Sequence, residues 1–269
     1  MDKNLTSYEQ VGMRALLAAE RVLLKRFKTA KPHAYGYKAH REIVTAADKA
    51  ANRIILSILR KGTPGFDILS EEGSPRTRSD WRWIVDPLDG TTNFTAHLPL
   101  WGVSIALEHK GRVVLGLISL PVIGERYVAR KHEGAWKTNV GRTSSKPIRV
   151  HASKTRDINE ALGLVCFGYD KPHKKNIVRV EPTLAYRSRS LRQLGAAVFE
   201  ASWIATGRAD YAILSGIRPW DVAAGALLVR EAGGKALTTD GKEWTLHDKN
   251  IVYVVPRLKA SVISVSRRI

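Results

Sequence analysis

The chain has little of what would staple, span or stack. One cysteine among 269 residues rules out an internal disulfide, and Cys166, set in an apolar stretch, is expected to be a small buried hydrophobe. No apolar run approaches the ~18–20 residues of a membrane span, and Met1-Asp2-Lys3-Asn4 lacks an apolar signal segment. The expectation is a cytoplasmic, reducing location with no membrane partner. None of the eight histidines pairs at zinc-ligand spacing. Repeats and low-complexity tracts are absent.

Acidic residues are also scarce: 25 Asp and Glu face 44 Lys and Arg, a net charge of +19. The basic residues gather at Lys25–Arg41, Lys171–Arg179, Arg187–Arg192 and Arg257–Arg268. Such a surface attracts polyanions at low salt. Aromatics amount to 7% and are not interleaved with these runs as a nucleic-acid stacking platform requires. A solubilising surface is the plainer reading and weak polyanion binding the sharper one.

Hydrophobic residues make up 44%, enough for a substantial core. Met13, Leu16, Leu17, Leu23, Leu24 and Phe27 suggest one amphipathic helix, and Thr45–Arg60 a second that buries Ala47, Ala51, Ile54, Ile55 and Ile58. Strand patterns follow at Trp83–Val85, Trp101–Leu107, Arg112–Ser119 and Arg126–Arg130. Lys137–Pro147 reads as a loop. Beyond it, strands and helices alternate at Leu162–Phe167, Ala196–Ala205, Asp210–Leu214, Trp220–Ala232 and Ile251–Pro256. Periodicity supports a mixed α and β fold. The chain is taken as one catalytic unit, with approximate halves 1–146 and 147–269.

The scarce acids are not scattered evenly. The run Trp83-Ile84-Val85-Asp86-Pro87-Leu88-Asp89-Gly90-Thr91-Thr92-Asn93-Phe94 ends an apolar strand in two carboxylates, a glycine and two hydroxyls. Pro87 stiffens the turn and Gly90 relaxes its steric limits. Such a turn supplies the oxygen ligands that hard cations such as Mg²⁺ prefer. It is also what an ordinary Asx-turn looks like. Glu71-Glu72 follow another short apolar run, and adjacent like charges are either solvated or ligands. Asp221, after Pro219-Trp220, opens an apolar stretch, where a helix dipole favours an acid in any case. Thr45-Ala46-Ala47-Asp48 resembles a capping box with Asp in the Glu position.

Taken together, Glu71-Glu72, Asp86-Pro87-Leu88-Asp89-Gly90-Thr91-Thr92-Asn93 and Trp220-Asp221-Val222-Ala223-Ala224-Gly225 resemble the three signature blocks of the inositol monophosphatase family, in order and spacing. Arg218-Pro219 and Leu228–Gly234 make the bacterial members the nearest in pattern. The resemblance implies a layered α/β/α/β/α sandwich of the inositol monophosphatase and fructose-1,6-bisphosphatase type. It also implies a Mg²⁺-dependent, lithium-sensitive phosphomonoesterase, often a homodimer, that uses two metals to activate water on a small phosphorylated substrate. Glu71, Asp86 and the Leu88 carbonyl would hold one metal, and Asp86, Asp89 and Asp221 the other. Thr91 with Asp48 would position and deprotonate water, with Glu71 assisting. Gly90 and Thr91 would receive the phosphate, while Asp89, Gly195, Ala196 and Asp221 would face the leaving alcohol.

Two departures open alternatives. Animal members of the family carry a glutamate seven residues before the Trp-Asp aspartate, which binds inositol hydroxyls; here Leu214 stands there. Fructose 1,6-bisphosphate, histidinol phosphate and 3′-phosphoadenosine 5′-phosphate therefore remain open as substrates. A polyanion- or RNA-associated regulatory protein with a retained or vestigial phosphatase site is the alternative function. The Asp-x-Asp-Gly-Thr run of haloacid-dehalogenase-type phosphatases is a weaker match, because here the two acids lie one residue further apart.

Overall fold

The computed structural model describes residues 3–29, 36–37, 43–73, 79–139 and 146–269. Helix α1 (Lys3–Thr29) buries Val11, Ala15, Leu16, Ala19 and Leu23, a helical spacing that makes one apolar stripe. Strands β1 (Gly36–Tyr37) and β2 (Ile43–Val44) form a short antiparallel ladder. Helix α2 (Ala46–Gly62) starts in a true capping box: Thr45 Oγ1 accepts from the Ala47 amide at 3.0 Å, and the Thr45 amide donates to Asp48 Oδ2 at 2.8 Å. A cap of this kind stabilises by about 1 kcal/mol. Ile54 and Ile58, expected inside, are only partly buried, because α1 covers the stripe through Ala47, Ala51, Ile55 and Leu59 instead.

The larger sheet runs in spatial order β3 (Asp67–Ser70), β4 (Trp81–Asp89), β5 (Gly102–His109), β6 (Arg112–Leu120), β7 (Glu125–Arg130), β8 (Gly134–Asn139) and β9 (Ile148–Arg149). Only β3 and β4 pair in parallel; the rest is an antiparallel meander. The expected loop at Lys137–Pro147 is corrected at its start. Lys137, Thr138 and Asn139 continue the ladder against β7, although their polar side chains carry no strand alternation.

The smaller sheet has the order β11-β10-β12-β14-β13, from β10 (Leu162–Phe167), β11 (Ser190–Arg192), β12 (Tyr211–Ser215), β13 (Lys235–Leu237) and β14 (Asn250–Val254). Between the sheets lie α5 (Ala197–Ala205) and α6 (Pro219–Glu231), both in contact with strands of either sheet. A helix buried on two faces must be apolar nearly all round, and Val222 to Val229 are buried without exception. At Gly225 a Cβ would lie 2.5 Å from Ala201 Cβ, so glycine lets α5 and α6 touch.

Helices α4 (Lys171–Arg187) and α7 (Lys259–Ser266) cover the outer face of the smaller sheet, packing Ile177, Val180, Leu184, Val262 and Ile263 on β12 and β14. With α1 and α2 outside the larger sheet, the layering is α/β/α/β/α, as the resemblance implied. The short α3 (Thr91–Thr95) follows β4. The middle core mixes residues from both ends of the chain, among them Ile84, Ile118, Leu164, Phe199 and Leu228. Cys166 faces this core but is only partly buried. Among the described residues no helix is long and apolar enough to cross a membrane.

Candidate active site

Strand β4 brings the acidic turn to the seam between the larger sheet and the middle helices. Its ladder with β5 is irregular between Asp86 and Asp89, where Pro87 offers no amide. The Leu88 amide donates to Asp86 Oδ1 at 3.0 Å, so Asp86 does close an Asx-turn. That turn uses one carboxylate oxygen. Gly90 follows at φ 83°, and a Cβ there would sit 2.8 Å from the Leu100 carbonyl oxygen and 2.9 Å from Ala196 Cβ. Only glycine suits a left-handed residue so tightly enclosed.

Separate elements deliver the remaining residues. β3 pairs Ser70 with Val85, and the Glu71 amide donates to the Val85 carbonyl at 3.2 Å, setting Glu71 beside Asp86. Asp221 lies in the first turn of α6, where its Oδ2 accepts from the Arg218 amide at 2.7 Å. Ser104 of β5 donates to the Trp220 carbonyl at 3.3 Å and holds that helix start against the larger sheet. Asp89 Oδ2 accepts from the Val198 amide of α5 at 2.6 Å. Asp48 caps α2 with Oδ2 and receives the Thr91 hydroxyl on Oδ1 at 3.0 Å. The same hydroxyl lies 3.1 Å from the Leu88 carbonyl oxygen. It has one proton, so it serves one acceptor at a time.

These carboxylates share one field. Asp86 is 2% exposed, and burial pushes its pKa well above the usual carboxylate range; Glu71, Asp89 and Asp221 each push it further. Glu71 and Asp86 are within hydrogen-bonding reach of each other. Burial also raises Asp89, with Asp221 adding to it and the Val198 amide opposing. Asp48 is raised by burial against the hydrogen bonds from Thr45 and Thr91. Like charges held together in a half-buried seam favour a cation, and all the donors are oxygen, the chemistry of Mg²⁺. Among the described residues, no three Asp, Glu, His or Cys side chains are already closed around one point as a finished cage.

Gly195 and Ala196, distant in sequence, arrive beside this turn. Gly195 has φ 75°, and Asn93 Nδ2 donates to the carbonyls of Leu100 at 2.7 Å and Leu194 at 2.8 Å. Sequence reasoning gave Asn93 no role, although it stands in the same conspicuous run. It also missed the Val198 amide, which no side-chain pattern can reveal. Glu200, a lone acid in an apolar helix, was a readable signal. It is fully buried, its pKa is pushed well up by burial and then by Asp89, and neither oxygen has a well-formed hydrogen bond.

Leu214 is not at the seam's open side. It is fully buried on the face of β12 that meets the middle core. Arg192 is exposed and bonded within its own strand. His97 packs against Phe27, the rings tilted by 35° at a centroid distance of 5.4 Å. Tyr169, beyond β10, shares a 2.8 Å hydrogen bond with Thr92 at the rim.

A profile of the inositol monophosphatase family matches residues 4–269. The Nus factor SuhB of Salmonella typhimurium (strain LT2) is 32% identical over 257 residues, 94% of this chain and 93% of its own. The inositol-1-monophosphatase of Mesorhizobium japonicum is 35% identical over 245 residues, 90% of this chain and 89% of its own. The crystal structure of the extragenic suppressor protein suhB from Bartonella henselae aligns with a TM-score of 0.88 at 29% identity, covering 96% of this chain and 98% of that one. The haloacid-dehalogenase-type reading of Asp86–Thr91 falls with these matches. On its sequence and its five layers, the chain belongs to the inositol monophosphatase family.

Proposed function

We propose that the protein hydrolyses a small phosphate monoester with the help of bound Mg²⁺. The observation that carries this reading is the convergence of Glu71, Asp89 and Asp221 on the buried carboxyl of Asp86. Glu71, Asp86 and the Leu88 carbonyl would hold one ion, and Asp86, Asp89 and Asp221 a second. When bound, the cations supply neutralising charge for the phosphoryl oxygens and for the departing alkoxide.

The chain's own groups then have definable tasks. The Thr91 hydroxyl, switching its proton between Asp48 and the Leu88 carbonyl, accepts a hydrogen bond from the attacking water and aligns it. Asp48 takes the proton through Thr91, and the raised pKa makes it a better base than an exposed aspartate. Glu71, beside Asp86, assists. The backbone from Gly90 into Thr91, held left-handed, receives the phosphate. Asp89, Gly195, Ala196 and Asp221 line the side toward which the alcohol leaves.

Leu214 is buried in the middle core, away from the open side of the seam, so it does not decide between a polyol and another alcohol, and the substrate range is tested with inositol 1-phosphate beside other phosphate monoesters. Phosphate release in Mg²⁺ from inositol 1-phosphate, fructose 1,6-bisphosphate, histidinol phosphate and 3′-phosphoadenosine 5′-phosphate tests the reading. Turnover of at least one, inhibited by lithium, is expected; no release from any of them at saturating Mg²⁺ overturns it. The same family reading includes a homodimer, which sedimentation checks.

A polyanion-associated regulatory role is the second reading, supported by the net charge of +19 and by likeness to a relative named a Nus factor. The two separate on one variant: Asp86→Asn abolishes the first activity and leaves the second intact.

A further inference from the structure

Several arginines at or beside the larger sheet are neutralised: Arg82 pairs with Glu108, Arg126 with Glu20, Arg130 with Glu9, and Arg208 with Glu125. The outermost layer over the smaller sheet holds its charge without such pairs. Helix α4 and the segment 256–269, which contains α7, carry nine Lys and Arg and a single acid, Glu181. Among the described residues none of the nine stands within 4 Å of a carboxylate.

These charges form a connected track. Lys171, Lys175 and Arg179 follow one another along the exposed face of α4 at helical spacing. Arg179 Nη1 donates to the Arg268 carbonyl at 2.8 Å, and Arg268 reaches back to Thr183, joining the two helices. From there Arg267, Lys259 and Arg257 line a shallow depression of ≈ 460 Å³. Its one acid, Asp240, is paired with Lys242 at 2.8 Å. Arg257 also borders a second depression of ≈ 480 Å³, which Lys154 lines. At the far end of α4, Tyr186 is 91% exposed beside Arg187 and Arg189. In sequence Tyr186 falls between the basic runs Lys171–Arg179 and Arg187–Arg192, and the fold sets it at the end of the same helix.

We infer that this layer is a docking surface for single-stranded nucleic acid, with the phosphate backbone following the basic track and a base stacking on Tyr186. Unpaired cations along a groove gain by displacing condensed counterions from phosphates. An exposed aromatic ring beside them is the second element of single-strand binding. A lipid surface fits less well. The large exposed apolar side chains of this layer are Val178 and Tyr186, too few to make the apolar face that inserts between headgroups. The surface lies outside the carboxylate seam, so the inference stands apart from the proposed hydrolysis.

Fluorescence anisotropy of the full chain with labelled single-stranded RNA and DNA oligonucleotides, across a salt series, tests it. Binding at low salt is expected with at least one of them, weakening steeply as salt rises. Lys175→Glu/Arg179→Glu/Arg267→Glu should lose at least about tenfold in affinity. The same charge change on another face, Arg60→Glu/Lys61→Glu/Arg112→Glu, should lose less than a third of that. Tyr186→Ala should lose about fivefold or more with an unchanged salt slope. Phosphate release and the thermal midpoint serve as folding controls for every variant. Equal losses in both charge variants, no effect of Tyr186→Ala, equal binding of duplex, or retention by anionic vesicles without oligonucleotide binding would each overturn the inference.

Discussion

The hydroxyl of Thr91 lies 3.0 Å from Oδ1 of Asp48, although 43 positions separate the two residues. The contact joins the first turn of α3 to the cap of α2, and in the proposed mechanism it is the proton relay to Asp48. Thr91→Val keeps the shape and removes the relay. Its kcat should fall by about 10²–10⁴, the usual worth of positioned acid–base catalysis, with a much smaller change in KM. Steady-state kinetics on the best substrate of the panel check this. Thr91→Ser should recover most of the rate, which a merely structural threonine would not predict.

Asp86→Asn relieves charge crowding while preserving an oxygen for the Leu88 amide. The variant should lose at least about a hundredfold in activity, as expected when a metal ligand or its orientation is removed. Its thermal midpoint without metal should equal or exceed that of the parent. Differential scanning calorimetry with and without EDTA decides.

Mg²⁺ should itself stabilise the fold, because a ligand that binds only the folded chain adds RT ln(1 + [L]/Kd). At a hundredfold excess over Kd that is about 2.7 kcal/mol, or several degrees in the midpoint for a chain of this size. The rise should vanish in Asp86→Asn. Thermal shift in the absence of any substrate measures it independently of turnover.

Acid sensitivity should trace in part to Glu125. Burial works against its charge, but Arg208, Tyr127 and Lys137 outweigh burial and hold its pKa down at about 2. A depressed folded-state pKa means the stabilisation is complete above the unfolded value near 4.5 and is lost as pH falls from there toward 2. Arg208→Met should lower the midpoint at neutral pH and flatten its decline across that acid range. Melting curves from pH 7 to 3 show whether it does.

Gly90→Ala combines a positive φ with a blocked Cβ position. It should destabilise by more than about 1 kcal/mol, the level at which alanine already fails in left-handed sites, and abolish activity. Urea denaturation and phosphate release check the two parts separately.

Much of the site could be read from the chain because its chemistry is local. Asp86 to Thr92 is one continuous run, and strand β10 was legible to the residue because Leu162–Phe167 is a short apolar run that Gly168 closes. Helix α4 was hidden for physical reasons. It buries only Ile177, Val180 and Leu184, carries an internal Pro182, and is otherwise a solvated basic surface. Its start was signposted by Asp170, which caps it, and by Pro172 in its first turn. Strand β8 was hidden because Lys137, Thr138 and Asn139 gain their order from β7 and not from their own pattern. The roles of Asn93 and the Val198 amide arise from contacts about a hundred positions away, which no local window contains.

The bond from the Val198 amide to Asp89 has a consequence for how the molecule is made. A nascent chain that has completed the larger sheet still lacks the partner that steadies this aspartate, and it also lacks Asp221. Cation affinity should therefore emerge late and abruptly during synthesis, once the second sheet has docked. On the proposed two-ion site, metal uptake would then double as a gauge of finished maturation.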